Sequence, residues 1–151
     1  MTQQGDGTDG KGFDQAGHWR QRGDRYVAEI EASGGGFHDL LRQQEAEFAD
    51  LLASLPLDGV RSVLEIGCGY GRMTPVILDA LPNVERYVCM DISHGQAAAA
   101  RAGLQEHPQS DRIGFVVSDV QSSTVQVKHD LVFAIEVLLH FPPEVVPGAV
   151  R

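Results

Sequence analysis

Cysteine, long apolar runs and clusters of positive charge are all scarce in this sequence. The 151 residues include two cysteines, Cys68 and Cys89, which are too few for a disulfide framework or a zinc set. No stretch is apolar over the length that a transmembrane helix needs, and the first residues lack the apolar segment of a secretory signal. We therefore expect a cytoplasmic protein in which both thiols are buried.

Negative charge dominates, with 21 Asp and Glu against 12 Lys and Arg and a formal net charge of -9. The basic residues are scattered, whereas nucleic acids and anionic membrane surfaces favour proteins with clustered Lys and Arg. The six histidines are also dispersed, without an H-x-x-x-H pair. We expect no nucleic acid, membrane or metal partner.

The N-terminal third of the chain has a helical pattern. Residues 1–12 are polar and rich in glycine, which predicts a disordered arm. Residues 13–60 are predicted to form two helices, over residues 14–32 and 39–55, separated by the glycines at 34–36. We expect this helical pair to act as a lid.

Residues 61–151 alternate short apolar runs with helical segments. Runs of four to eight apolar residues without strict polar alternation are typical of strands covered on both faces, so the fold class is predicted as α/β. Ser93 followed by Gln96 predicts a capping box that starts the second crossover helix. We expect a Rossmann-like doubly wound parallel sheet with four strands, in an incomplete domain. Its exposed fourth strand would pair with another copy or with a completing chain.

The stretch "VLEIGCGYGRMT" places three alternate glycines directly after the first predicted strand. Glycines at 67, 69 and 71 permit positive φ and let a ligand approach the bare backbone at the carboxyl end of the sheet. Asp91 ends the second apolar run, where a carboxylate can accept both hydroxyls of a ribose. A dinucleotide fingerprint would need a further glycine at Arg72, and Glu65 would repel a pyrophosphate, so a nicotinamide cofactor is disfavoured.

An acidic residue followed by G-x-G-x-G resembles motif I of the class I S-adenosylmethionine-dependent methyltransferases. "YVCMDIS", "VVSDVQS" and "HDLVFAIEVLLHFPPE" are similar to later motifs of the family, the last in its small-molecule branch. The resemblance implies S-adenosylmethionine as the cofactor, with Asp91 at the ribose, Asp119 and Val120 at the adenine, and Glu136 near the methionine moiety. An arginine of the lid, Arg22, could hold the methionine carboxylate as a fork. The cofactor-binding residues that we expect are Glu65, Gly67, Cys68, Gly69, Gly71, Asp91, Ile92, Asp119, Val120, Glu136 and Arg22.

These motifs favour a methyltransferase that acts on an oxygen, nitrogen or carbon nucleophile of a small molecule. His140 follows the fourth predicted strand, where an imidazole could take a proton from the acceptor or could instead cap or pack the next turn. The alternative function is a non-catalytic domain that binds the cofactor or another protein. The identity of the acceptor stays open.

Overall fold

The computed structural model describes residues 14–122, 127–141 and 143. The predicted disordered arm, residues 1–12, lies outside the described residues. The elements in chain order are α1 (Gln15–Glu31), α2 (Gly35–Ala53), β1 (Ser62–Ile66), α3 (Thr74–Ala80), β2 (Arg86–Asp91), α4 (His94–Gly103), β3 (Ile113–Val117) and β4 (Leu131–Ala134), with short 3₁₀ turns at Ser110–Arg112 and Leu138–His140.

The four strands form one parallel sheet in the order β3-β2-β1-β4, which confirms the predicted fold class. β1 lies in the middle, so that Glu65 pairs in register with Cys89 on one side and with Phe133 on the other. The chain adds β2 and β3 on one side of β1 and then crosses to β4 on the opposite side. In sheets of this kind the ligand site lies where the strand order reverses, at the carboxyl ends of the strands.

β4 lies at an edge of the described sheet, as predicted for the fourth strand. The side chain of Val132 in this strand is 53% exposed. No described helix is both long enough and apolar enough to cross a membrane.

The core lies between the sheet and the crossover helices. Val63 of β1, Tyr87 of β2 and Ile77 of α3 are fully buried there, and both cysteines are free and buried, as expected. Pro75 is tolerated in α3 because it occupies the first turn, where its missing N–H has no helical partner.

The two N-terminal helices form as predicted, but α2 begins at Gly35, before the predicted start at residue 39. Gly34 occupies the N-cap in extended conformation, so the two following glycines are already helical. α1 packs against α4 at Gly23, where a Cβ atom would overlap the Ser93 side chain. A glycine that weakens an isolated helix therefore allows the close approach of these two helices.

Candidate functional site

A cavity of about 440 Å³ opens at the carboxyl ends of β1, β2 and β4, beneath α1 and α2. Its size falls within the range of roughly 300–1,000 Å³ that is typical of small-molecule sites. Most of the predicted site residues line this cavity: Glu65, Gly67, Cys68, Gly69, Asp91, Ile92, Asp119, Val120, Glu136 and His140.

The glycine loop forms the floor of the cavity. Gly67, Gly69 and Gly71 have φ angles of 70°, 57° and 85°, values that are strained for residues with side chains. A Cβ atom on Gly67 would overlap Val137 Cγ2. Around Gly69 the nearest atom to such a Cβ is Gln96 Oε1 at 3.7 Å, so this glycine presents bare backbone to the cavity.

Gly71, which was expected among the cofactor-binding residues, packs against α4. It is buried and does not line the cavity, and a Cβ atom there would lie 3.1 Å from Ala100 Cβ and 3.2 Å from Ala100 Cα. Its place in the motif is therefore explained by the close packing of the loop against α4. The expected contact of Gly71 with the cofactor stays a prediction.

Asp91 is held by two backbone groups at the end of β2. Its Oδ2 accepts a hydrogen bond from Gly69 N at 2.8 Å, and its Oδ1 accepts one from Ser93 N at 2.8 Å. Burial raises the pKa of the carboxyl, while the backbone N–H donors counteract that rise. A carboxylate oxygen can accept more than one hydrogen bond, so both oxygens keep capacity for a ligand.

Glu65 lies below the loop and is only 3% exposed. Its Oε2 accepts hydrogen bonds from Thr74 Oγ1 and from the Tyr87 hydroxyl, both at 2.7 Å. Burial raises the pKa of Glu65 to about 7, while these two hydroxyl donors oppose the increase. Glu65 is also one of the residues that line the cavity. The expectation that Glu65 binds the cofactor did not anticipate these hydrogen bonds from Tyr87 of β2 and Thr74 of α3.

Asp119 and Val120, which the motifs predict at the adenine of the cofactor, follow β3. Asp119 Oδ1 accepts a hydrogen bond from Gln121 N at 2.9 Å, and its other oxygen lies 3.9 Å from the Arg20 guanidinium. The Asp119 side chain is 19% exposed and, with Val120, lines the cavity.

The loop after β4 forms a second wall. Glu136 has a φ of 56°, which is rare for a residue other than glycine and is a form of strain often found at functional sites. Its Oε1 accepts a hydrogen bond from Gln44 Nε2 at 3.4 Å, which connects this loop to α2.

Sequence reasoning did not assign Arg72 or Gln44 to the site, although both line the cavity. The Arg72 guanidinium donates to Leu41 O at 3.3 Å and to Gln44 Oε1 at 3.3 Å, and it forms an ion pair with Glu45 at 3.4 Å. Arg72 therefore joins the glycine loop to α2. One feature of the sequence could have indicated this role: Arg72 occupies the position at which a dinucleotide-binding fingerprint has its third glycine.

His140 lines the cavity beside α1, with its ring centroid 4.8 Å from that of Trp19. Burial lowers the pKa of this histidine, and the charges of His18 and Arg22 also lower it, whereas Glu136 opposes them. A lower pKa leaves more of the imidazole neutral near pH 7, the form that can accept a proton.

Arg22, which was expected to hold the methionine carboxylate, is not among the residues that line the cavity. Its guanidinium pairs with Glu29 Oε2 at 3.1 Å and lies over the rings of Trp19 and Tyr26, with its central carbon 5.6 and 5.3 Å from the ring centroids. Trp19 and Tyr26, which lie seven residues apart on α1, both line the cavity.

Comparison with known proteins agrees with this geometry. A family model described as a methyltransferase domain matches residues 63–151. Trans-aconitate 2-methyltransferase of Methylobacterium radiotolerans is 33% identical over 94 residues, which cover 62% of this chain and 34% of that protein. Malonyl-[acyl-carrier protein] O-methyltransferase 1 of Ilyobacter polytropus is 33% identical over 73 residues, covering 48% and 26%. The chain thus spans about a third or less of the length of these curated relatives.

Solved structures support the same fold. Magnesium protoporphyrin IX methyltransferase from Synechocystis PCC 6803, solved with bound S-adenosylmethionine, superposes with a TM-score of 0.69 at 20% identity over 94% of this chain and 71% of that one. Mitomycin 7-O-methyltransferase superposes with a TM-score of 0.59 at 22% identity over 68% and 29%. Because the family model matches more than half of the chain, this protein belongs to the methyltransferase-domain family.

Proposed function

We propose that this chain binds S-adenosylmethionine and transfers its methyl group to an oxygen, nitrogen or carbon nucleophile of a small molecule. The observation that carries the proposal is the pairing of a buried carboxylate with bare backbone in one cavity. Asp91 lies at the end of β2, its Oδ2 bonded to the N–H of Gly69, and both residues face the same space. A ribose needs acceptors for its hydroxyls, and the open glycine lets the rest of the nucleoside approach.

The residues around this pair fit the remaining parts of the cofactor. Asp119 and the Val120 backbone would meet the adenine, since a carboxylate accepts from an amino group and a backbone N–H donates to a ring nitrogen. Gly67 and Glu136 line the same cavity, and the motifs place the methionine moiety beside them. We assign these roles as proposals drawn from the motifs and from the shared cavity.

When bound, S-adenosylmethionine supplies an activated methyl group, and the chain's own task is to orient the acceptor and exclude water. α1 and α2 would act as the lid, because they place apolar side chains such as Trp19, Phe37 and Leu41 over the cavity. His140, neutral near pH 7, would take the proton that the acceptor loses. A cytoplasmic location and a small-molecule acceptor are parts of this proposal.

A non-catalytic cofactor-binding or interaction domain is the second candidate function. The observation that favours it is the uncovered edge of the described sheet at β4, where Val132 is half exposed. Another copy or a completing chain could pair there. The two functions differ in one measurable respect, since only the first produces a methylated acceptor.

Calorimetric titration with S-adenosylmethionine tests binding, with NAD as the competing ligand. Gly69→Arg should abolish binding of S-adenosylmethionine, because the arginine side chain would project from the glycine loop into the cavity. Gly59→Arg is the matched control, since Gly59 is exposed and, apart from its two chain neighbours, no described residue comes within 4 Å of a Cβ position there. Tight NAD binding, or equal binding by both variants, would contradict the proposal. Transfer of a labelled methyl group to a panel of small acceptors then separates the enzyme from the binding domain.

A further inference from the structure

Gln96, in the first turn of α4, has a buried polar atom that the fold itself does not satisfy. The residue is 3% exposed, and its amide oxygen Oε1 has no hydrogen-bond partner within the described part of the chain. Buried polar atoms in native proteins are nearly always hydrogen-bonded, so an unpartnered acceptor calls for a physical explanation.

Helix capping does not account for this carboxamide. In a capping box the side chain of Gln96 would accept from Ser93 N, but that N–H donates to Asp91 Oδ1 at 2.8 Å. The other half of the predicted box is present, with Ser93 Oγ accepting from Gln96 N at 3.2 Å. The capping-box prediction is thus half correct, and the amide oxygen is left without its usual donor.

The unpartnered oxygen of Gln96 lies near Gly69, the glycine that is hydrogen-bonded to the predicted ribose acid, Asp91. Gln96 lines the cavity, and its Oε1 lies 3.7 Å from the position of a Cβ on Gly69, whose N–H donates to Asp91 Oδ2. The Asp91 carboxylate and the Gln96 amide oxygen are therefore two acceptors placed around the same bare glycine.

α1 restrains this side chain from above. A Cβ on Gly23 would lie 3.1 Å from Gln96 Cγ, so the helix backbone passes directly over the stem of the glutamine. The close packing limits the space in which the carboxamide can move. A donor for Oε1 can then come from a molecule in the cavity.

We propose that Gln96 is a specificity-determining residue that accepts a hydrogen bond from one hydroxyl of a ligand whose neighbouring hydroxyl is held by Asp91. Two acceptors around one glycine select a vicinal diol, as in a ribonucleoside, over a deoxyribonucleoside. This inference rests on the proposed function, since the diol would be the ribose of the cofactor.

The test compares S-adenosylhomocysteine with its 2′-deoxy and 3′-deoxy analogues by calorimetry. Wild-type protein should bind at least one deoxy analogue about tenfold more weakly, as expected for one lost hydrogen bond to a buried acceptor. Gln96→Met keeps the length of the side chain without the amide, and this variant should bind S-adenosylhomocysteine about tenfold more weakly than the wild type does. The deoxy analogue that lacks the hydroxyl bonded to Gln96 should bind the variant as well as S-adenosylhomocysteine does. Gln105→Met, at an exposed position after α4, is the matched control and should behave like the wild type.

Thermal unfolding establishes that each variant is folded before titration, and Gln96→Leu replaces Gln96→Met if the latter fails. If removal of each ribose hydroxyl weakens binding by the same factor in the wild type and in the Gln96 variant, this inference alone is overturned. No binding of S-adenosylhomocysteine by folded wild-type protein would overturn the proposed function and this inference with it.

Discussion

Replacement of Glu65 by glutamine should change how the stability of this protein depends on pH. Glu65 is buried between Thr74 and Tyr87, whose hydroxyls both donate to it. The amide of glutamine has nearly the same shape, and its oxygen, in the place of Oε2, can still accept from both hydroxyls, but it does not titrate. The variant therefore removes one protonation equilibrium while keeping the packing.

The sign and size follow from the raised pKa of Glu65. Its ordinary value of 4.5 applies to the unfolded chain, whereas the folded value is about 7. Between these values the folded protein binds a proton that the unfolded chain has released, so the stabilisation present at low pH is lost as the pH rises through 7. From pH 5.5 to pH 8 this single group lowers the free energy of unfolding by about 2 kcal/mol.

Urea unfolding at four pH values between 5.5 and 8 measures this effect, with a reductant present for the two thiols. The difference in unfolding free energy between Glu65→Gln and wild type should shift in favour of the variant by about 2 kcal/mol as the pH rises. Glu106→Gln, at an exposed position, serves as control and should show a constant difference. A constant difference for Glu65→Gln as well would refute the reasoning that burial raises this pKa.

Three further predictions concern the loop, the base and the lid. Gly67→Ala should lower the free energy of unfolding by about 1–3 kcal/mol, because residue 67 has a positive φ. Gly59→Ala is the control and should change this free energy by less than about 0.5 kcal/mol. Equal changes for the two variants in urea unfolding would argue against backbone strain at Gly67. His140→Gln should slow methyl transfer and leave calorimetric cofactor affinity unchanged. The wild-type rate should fall with decreasing pH at a value below the usual histidine pKa of 6.5, and an unchanged rate profile in the variant would exclude His140 as the base. Gly23→Leu should displace α1 from α4, because the leucine side chain would overlap Ser93. The variant should therefore be cleaved faster by proteases within α1. An unchanged cleavage rate would contradict the packing role of Gly23.

The polar contacts of the site were harder to predict than its position. The motif correctly placed Asp91 and Gly69 at one cavity, because the carboxyl ends of neighbouring parallel strands meet at the same edge. It did not anticipate that Arg72 would bond to α2, since that contact joins residues about thirty positions apart and depends on how the helix packs. Helical spacing also did not predict that Arg22 forms an ion pair with Glu29.

The sequence by itself determined the parallel α/β sheet and the location of the cavity. Apolar runs, helical periodicity and the positive φ that glycine permits are local properties, so they can be read along the chain. Only the tertiary structure decided that Glu65 accepts hydrogen bonds from core hydroxyls and that Gly71 packs on α4. It also decided that the Gln96 amide oxygen has no partner among the described residues. These outcomes depend on side-chain directions and on elements distant in sequence that compete for the same donors, which no local pattern records.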